Sequence, residues 1–292
     1  MPLASDDRSS SSATASRPAA ERTEVDGLTY RAFETPEDAA ACVRLQGEIW
    51  GSQFDQVPAS LLRVTTSIGG LAIGAFDASG DLVGFVFSLA GIRDGEPMHW
   101  SHMLAVRESM RGAGVGRRLK EMQRAELSRR GISRVLWTFD PLQAKNAHLN
   151  INRLGVRVID YVENMYGITA SPLHHGLATD RLVVMLPTSD SPTARPAASH
   201  ELNGGVPVLT PFARPGDVTI DLEDTAAPLV MIEIPSDLHQ VVSTTPAVAT
   251  VWRLATRGSF QRALRGGYEV TGLKRDAATD RAFYVLTATP RR

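Results

Sequence analysis

Leu104-Ala-Val-Arg-Glu-Ser-Met-Arg-Gly-Ala-Gly-Val-Gly-Arg-Arg-Leu119 is the stretch on which the fold turns. A strand-like segment, Met98 to Val106, runs into it. Val115, Leu119 and Met122 follow at i, i+4 and i+7, which is one face of a helix from about Val115 to Arg130. Arg129 and Arg130 suit the negative end of that helix, and Gly131 can end it. A glycine turn therefore joins a strand to a helix. Glycine lets the backbone approach a ligand closely. The unpaired amides and the dipole at a helix N-terminus both favour an anion. From Arg107 to Arg134 nine basic residues face three acids, a local charge of +6, whereas the whole chain carries -1. A pyrophosphate-bearing ligand accounts for that contrast better than a solvated helix face does. Two nucleotide fingerprints fail on spacing. The P-loop needs Lys-Ser/Thr after its last glycine, and none is present. The dinucleotide pattern needs glycine at 117 or 119, which are Arg117 and Leu119.

Upstream, Leu28–Phe33 alternates like a strand, and Thr35-Pro36 opens a helix that runs to Trp50-Gly51. Pro58 opens a short second helix. Leu71–Phe76 and Leu82–Phe87 form a hairpin across an Asp77–Asp81 turn. Downstream come a strand at Arg134–Phe139, a helix capped by Asp140 and running to Leu154, and strands at Val156–Val162 and Arg181–Leu186. Residues 188–214 carry four prolines and Gly204-Gly205, a linker composition. Beyond it lie a strand at Leu229–Ile234, a helix at Ala247–Leu264, and strands at Tyr268–Leu273 and Phe283–Thr287. The expected organisation is a disordered tail at 1–24, a first domain at 25–187, a linker at 188–214 and a C-terminal domain at 215–292. Strand, helix, glycine, strand, strand recurs in Arg134–Leu186 and Leu229–Ala288, so the C-terminal domain reads as a degenerate copy of the first domain's second half. Coincidence is the alternative, because that order is common.

The chain has 292 residues, 43 % hydrophobic and 22 % charged, with 31 basic and 32 acidic side chains. A near-neutral balance argues against nucleic acid and anionic membranes as partners. A single cysteine, Cys42, excludes an internal disulfide. No run approaches a membrane span, and no apolar secretory stretch opens the chain, so the expected location is cytoplasmic. His174-His175 lacks partner ligands at metal spacing, and no metal site is expected.

These residues resemble the GNAT acyl-CoA N-acyltransferases. That family's signature, Arg/Gln-x-x-Gly-x-Gly/Ala opening a helix after its fourth strand, is matched by Arg111, Gly114 and Gly116. The resemblance covers about residues 27–187. It implies an α/β (α+β) fold with a mixed, mostly antiparallel sheet flanked by helices, here followed by the smaller C-terminal α/β half-domain. It implies a donor, acetyl-CoA or succinyl-CoA, held by Arg111, Gly112, Ala113, Gly114, Val115, Gly116 and Arg117. Backbone groups of Leu104, Ala105 and Val106 would hold the pantetheine arm where the family's strand bulges, and Asn146 either joins them or decorates its helix. Ser101-His-Met103, Trp137–Leu142, Asn146–Asn150, Thr179-Asp-Arg181 and Trp252–Arg257 are similar to a group found alongside N-acylamino-acid racemases. That similarity implies an amino acid as acceptor.

The resemblance implies direct attack of an amine on the thioester, aided by a base and an acid. His99 and His102 lie on the strand beside the cleft. His102, four residues before Val106, occupies a position where many relatives carry an acidic base, and it is the preferred base. A histidine bonded within the sheet is the bland alternative. Many relatives place a tyrosine acid where this chain has Ile151, so Tyr166 takes the role, with Tyr161 or water as alternatives. Arg93, Arg107 and Arg181 could each hold an acceptor carboxylate. The expected partner is a small amine or amino acid, in a possible homodimer. A protein N-acetyltransferase and a non-catalytic acyl-CoA sensor remain open.

Overall fold

The computed structural model describes residues 22–51, 55–167, 176–189, 206–215, 217–219 and 227–289. Its strands are β1 (Thr23–Val25), β2 (Leu28–Ala32), β3 (Leu71–Phe76), β4 (Leu82–Arg93), β5 (Glu96–Val106), β6 (Arg134–Phe139), β7 (Arg157–Val162), β8 (Arg181–Pro187), β9 (Val208–Leu209), β10 (Leu229–Ile234), β11 (Tyr268–Asp276) and β12 (Arg281–Ala288). The helices are α1 (Pro36–Trp50), α2 (Ala59–Ser67), α3 (Val115–Arg129), α4 (Ala144–Ala147), α5 (Leu238–Thr244) and α6 (Pro246–Arg265). Eight strands form one sheet in the order β1-β2-β3-β4-β5-β6-β8-β7, and four form a second in the order β11-β12-β10-β9. The fold is thus mixed α/β, with a large, mostly antiparallel sheet flanked by helices and a smaller second sheet.

Local chemistry explains the entry. The first strand begins at Thr23, inside the stretch that composition assigned to a tail, and Asp26 and Gly27, both at positive φ (52° and 74°), close its two-residue hairpin with β2. Residues 1–21 lie outside the described residues. The Thr35 hydroxyl caps α1 by accepting from the Asp38 amide, and Asp38 returns the bond to the Thr35 amide, a reciprocal capping box. Arg31 clamps the same carboxylate at 2.7 and 2.8 Å.

Among the described residues of the large sheet, β5 and β6 are the one parallel pair, as a crossover through α3 requires. They pair at only two positions, His99 with Val135 and Trp100 with Leu136. Directly afterwards β5 bulges. Ser88 faces Ser101 and Phe87 faces Met103, which leaves His102 as the extra residue. A bulge bends its strand and increases its twist, so β5 leaves β6 and a wedge opens between them. The bulge sits two residues earlier than the expected place at Leu104.

The second half departs from expectation at three points. The helix after β6 starts at Ala144 rather than Pro141, and from His148 to Arg153 it is π-helical. Asp140 is not its N-cap. Its carboxylate accepts the Leu142 amide and is gripped through both oxygens by Arg253 of α6, at 2.9 and 2.7 Å. Within the linker stretch, Val208 and Leu209 form β9 beside β10; residues 190–205 lie outside the described residues.

The two sheets share a hydrophobic core that runs from Val115 and Trp137 through Leu142 and Tyr161 to Phe260 and Tyr284. Tyr161 stacks on Phe260, and the Tyr284 hydroxyl donates to the Pro141 carbonyl at 2.8 Å. The Asn152 side chain bonds both the amide and the carbonyl of Leu273. Strand order repeats as well: β6-β8-β7 matches β10-β12-β11. In each set the outer strand carries its extra residue, Ile159 or Thr271, four residues after a positive-φ glycine, Gly155 or Gly267.

The Asp140–Arg253 pair is almost wholly buried. Truncating one partner leaves the other charge unpaired, at a cost of about 3–5 kcal/mol. Arg253→Met should lower the unfolding free energy measured in urea by that amount, and the double variant Asp140→Asn/Arg253→Met should recover much of the loss.

Candidate active site

The wedge between β5 and β6 organises the site. Arg107 donates its amide to Val83 at 2.8 Å. By the alternation of an antiparallel ladder, Ala105 and Met103 also bond β4, while Leu104 and Val106 turn their backbone groups into the wedge. The Arg111 guanidinium meets the Val106 carbonyl there at 3.3 Å. The Leu104 backbone and the Val106 amide are thus open to a ligand, and Ala105 is not.

The wedge leads to the N-terminus of α3. Residues Arg111 to Gly114 are exposed. Gly112 and Gly114 take φ of 85° and 82°, and no atom lies within 4 Å of where a Cβ would be. Gly114 is the N-cap, and α3 has neither a side-chain cap bond nor an acid in its first turn. Unpaired amides therefore face open space with Arg117 and Arg118 beside them, a fit for phosphate oxygens. Arg117 and Arg118 share Glu121, at 2.8 and 3.7 Å. Gly116 has ordinary backbone geometry and room for a methyl group, its Cβ position lying 3.6 Å from Val106, which agrees with the Gly/Ala freedom at that place.

A polar chain that sequence reading missed fills the base of the wedge. Lys120 of α3 is 4 % exposed. Its Nζ donates to the Ser101 hydroxyl at 2.7 Å and to Gln123 Oε1 at 3.2 Å, and lies 3.8 Å from the centre of the Trp137 ring. Trp137 Nε1 donates to Asn150 Oδ1 at 2.7 Å, and Asn150 donates to both oxygens of Asn146. Asn146, expected at the pantetheine, is exposed and already accepts this bond. Burial lowers the Lys120 pKa to about 7. One signal was present: Lys120 is one of three lysines among 31 basic residues. Arginine stays charged when buried, whereas lysine can shed its proton.

The parallel register sets side chains at one level on one face. Ser101 and Trp137 share the α3 face, as Lys120 between them shows. The next pair, His102 and Thr138, falls on the opposite face, toward α1 and α2. His102 stands edge-on to Phe87, whose ring belongs to the α1–α2 core. It is exposed, but protein packed around the ring removes enough water to lower its pKa below 6.5. The Tyr166 hydroxyl lies 3.3 Å from Thr138 Oγ1, and the Tyr166 ring is 46 % exposed. The structure therefore brings His102 and Tyr166 to one face at the wedge mouth. His99, on the α3 face, is buried against Ser88 at 2.9 Å, and burial lowers its pKa to about 4. Tyr161 is buried and donates to Asp180 at 2.7 Å; burial and that carboxylate raise its pKa. Ile151 is a core residue. Burial pushes the Cys42 thiol up to about 12, which suits packing rather than chemistry. His174 and His175 lie outside the described residues. Among the described residues no group of three His, Cys, Asp or Glu side chains could hold a metal, and no helix is long and apolar enough to cross a membrane.

No protein-family model matches the chain, and no curated protein does. Solved structures do. It is similar to the ribosomal-protein-S18-alanine N-acetyltransferase of Escherichia coli at 19 % identity, covering 56 % of this chain and 96 % of that one, with a TM-score of 0.44. It is similar to the ribosomal-protein-S5-alanine acetyltransferase of Vibrio fischeri at 13 % identity, covering 58 % and 98 %, with a TM-score of 0.46. A third is an aminoglycoside 6'-N-acetyltransferase complexed with coenzyme A, at 16 % identity, covering 56 % and 98 %, with a TM-score of 0.43.

The Lys120 shift has a consequence for stability. Its pKa falls from the ordinary 10.5 to about 7 on folding. Between those values the unfolded chain binds the extra proton, so stability rises with pH across that window, by at most about 4 kcal/mol. Urea unfolding of wild type from pH 6 to pH 10 should show the rise, and Lys120→Met should flatten it.

Proposed function

We propose that this protein is an acyl-CoA-dependent N-acyltransferase that acylates the amine of a small molecule, an amino acid in our reading. One observation carries the proposal: a wedge lined by the Leu104 backbone and the Val106 amide, which β4 does not bond, runs from the open amides of Gly112–Arg117 to a face bearing His102 and Tyr166. The cofactor's shape calls for such a path, with pyrophosphate at the helix end and pantetheine along the strand. Arg111, Gly112, Ala113, Gly114, Val115, Gly116 and Arg117 hold the phosphates. Leu104 and Val106 pair with the pantetheine amides, in the manner of an added strand.

Both reactants are held across the wedge, which replaces a bimolecular encounter and supplies much of the rate. The Leu104 amide, which β4 leaves unbonded, is the donor that would stabilise the charge developing on the thioester oxygen. His102, neutral above its lowered pKa, takes the proton from the attacking ammonium. The freed nitrogen lone pair forms the new C–N bond, the nitrogen sheds its second proton to water, and the C–S bond breaks with its electrons going to sulfur. Tyr166 gives its proton to the departing thiolate, and Thr138 holds the phenol in place. His102 and Tyr166 then recover their resting states by exchange with solvent.

Release of free thiol from acetyl-CoA and from succinyl-CoA, against L- and D-amino acids, simple amines and peptides, tests this reading and names the donor. Turnover with a small amine is the expected result. Turnover with peptides alone would replace the reading with a protein acetyltransferase. Binding of acyl-CoA with no turnover would replace it with a sensor. Gly114→Glu should abolish acyl-CoA binding in calorimetry, because it strains the positive φ and sets a carboxylate among the phosphates. His102→Ala should leave binding intact and lower kcat about 10²-fold or more. The acid limb of kcat/KM should inflect below pH 6.5, since burial lowers the base's pKa.

A further inference from the structure

Tyr166 lies outside the sheet, in the turn that follows β7. Its ring is 46 % exposed, and its hydroxyl meets Thr138 Oγ1 at 3.3 Å, a long bond for two hydroxyls. The Arg181 guanidinium flanks the ring, 5.3 Å from its centre. The other two arginines expected near an acceptor carboxylate, Arg93 and Arg107, bind Asp94 and Glu48. The place of the phenol therefore depends on the backbone that carries it.

Thr179 and Asp180, just before β8, hold that backbone. The Asp180 carboxylate accepts the Asn164 amide at 3.0 Å. The Thr179 hydroxyl accepts the Tyr166 amide at 2.9 Å and donates to the Gly167 carbonyl at 2.9 Å. The Thr179 carbonyl accepts the Met165 amide at 3.1 Å. Asp180 is fully buried, and a buried carboxylate must be paired or give up its charge. Arg257 of α6 pairs it through both oxygens, at 2.9 and 2.8 Å, and the Tyr161 hydroxyl donates a further bond at 2.7 Å. The same guanidinium binds Glu163, the first residue of the turn. Arg257 thus grips the turn at its start and at the carboxylate that closes it. Arg253, one helical turn earlier, is taken by Asp140 at the end of β6. Of these two α6 arginines, Arg257 is the one that reaches the Tyr166 turn.

We propose that Arg257 is a positioning residue for Tyr166: by holding Asp180 and Glu163 it fixes the turn that sets the phenol at the wedge mouth. The proposal rests on the acyltransferase reading, in which Tyr166 is the proton donor. It gives the C-terminal half of the chain a part in the active site without contact with either substrate. Without Arg257 the Asp180 carboxylate would take a proton or turn to water, and the Asn164 amide would lose its charged acceptor. A shift of about 1 Å in a reacting group lowers a rate on the order of 10²-fold.

A double-mutant cycle on kcat for thiol release tests this in the whole chain, with the donor and amine that wild type turns over. Tyr166→Phe should lower kcat about 10²-fold or more, as loss of a proton donor does. Arg257→Met should lower kcat about tenfold to a hundredfold and leave the KM for acyl-CoA within about twofold. Arg257→Lys keeps the charge without the paired bonds and should recover part of the loss. In the Tyr166→Phe background, Arg257→Met should lower kcat no more than about twofold further, because the hydroxyl it positions is gone. Hydrogen exchange at the Asn164 and Tyr166 amides should quicken in Arg257→Met. A merely structural arginine would lower kcat by the same factor in both backgrounds. That additive result, an Arg257→Met variant with wild-type kcat, or exchange that the variant leaves unchanged overturns the proposal and leaves the acyltransferase reading standing. Wild-type kcat in Tyr166→Phe overturns it as well and assigns the proton to another donor. Should Arg257→Met not fold, Arg257→Lys takes its place in the cycle and the same results decide. Wild type that releases no thiol with any amine removes the acyltransferase reading and this proposal together.

Discussion

Two adjacent strands that stop pairing leave backbone amides and carbonyls without partners, and a sheet does not leave such groups idle without cost. Here the break is placed by a single extra residue. His102 bulges out of β5 immediately after its last bond to β6, and the two strands part from that level onward. The bulge therefore does two things at once. It opens the Leu104 backbone and the Val106 amide, and it turns the His102 side chain toward the opposite face from the Lys120 plug. A regular β5 would continue its ladder with β6 and close the space between them.

Holding a wedge open needs a fixed base. Lys120 supplies it from α3 by binding Ser101 on one strand and covering Trp137 on the other. The chain continues through Trp137 and Asn150 into the π-helical segment, a helix type that often marks functional places. A hydrocarbon at position 120 could fill the same volume, but it could not bond the strands on both sides of the opening. Buried polar networks cost desolvation and return rigidity when every member is satisfied. That exchange is reasonable where a cleft must keep its shape.

The C-terminal sheet acts on the site at a distance. Arg253 and Arg257 of α6 bind the acids at the end of β6 and the start of β8. Asp180 in turn orders the turn that carries Tyr166: it accepts the Asn164 amide, and Thr179 beside it accepts the Tyr166 amide. Asn164 holds a positive φ of 44° within this network. Burial pushes the Asp180 carboxyl up, but Arg257, Tyr161 and the Asn164 amide outweigh it and hold the group below its ordinary range. The order of the last three strands of the large sheet and its bulge recur in the second sheet, and α6 clamps the acids that flank β6 and β8.

The strands and helices were largely legible from Leu28 onward, because apolar periodicity and glycine or proline punctuation are local. β3, β6 and β10 fall on their expected bounds, and the Arg111–Gly116 loop sits where its spacing placed it, at the start of α3. Errors arose where a distant partner outbid a local signal. Asp140 has the spacing of a helix cap, yet Arg253, more than a hundred residues away in sequence, takes its carboxylate and the helix begins later. The Asp26-Gly27 turn is a local hairpin signal set inside a stretch whose composition reads as a tail. Which of His99 and His102 reaches the open face depends on a bulge, and a bulge is a matter of pairing between strands that one strand's sequence does not encode. Lys120 and Arg257 likewise find their partners on other elements. Sequence determined that an open, basic glycine turn follows a strand and leads into a helix, since backbone freedom and local charge are properties of neighbours in the chain. Only the tertiary structure decided which side chains share a face of the wedge, because that depends on the register and parting of strands joined through a whole helix.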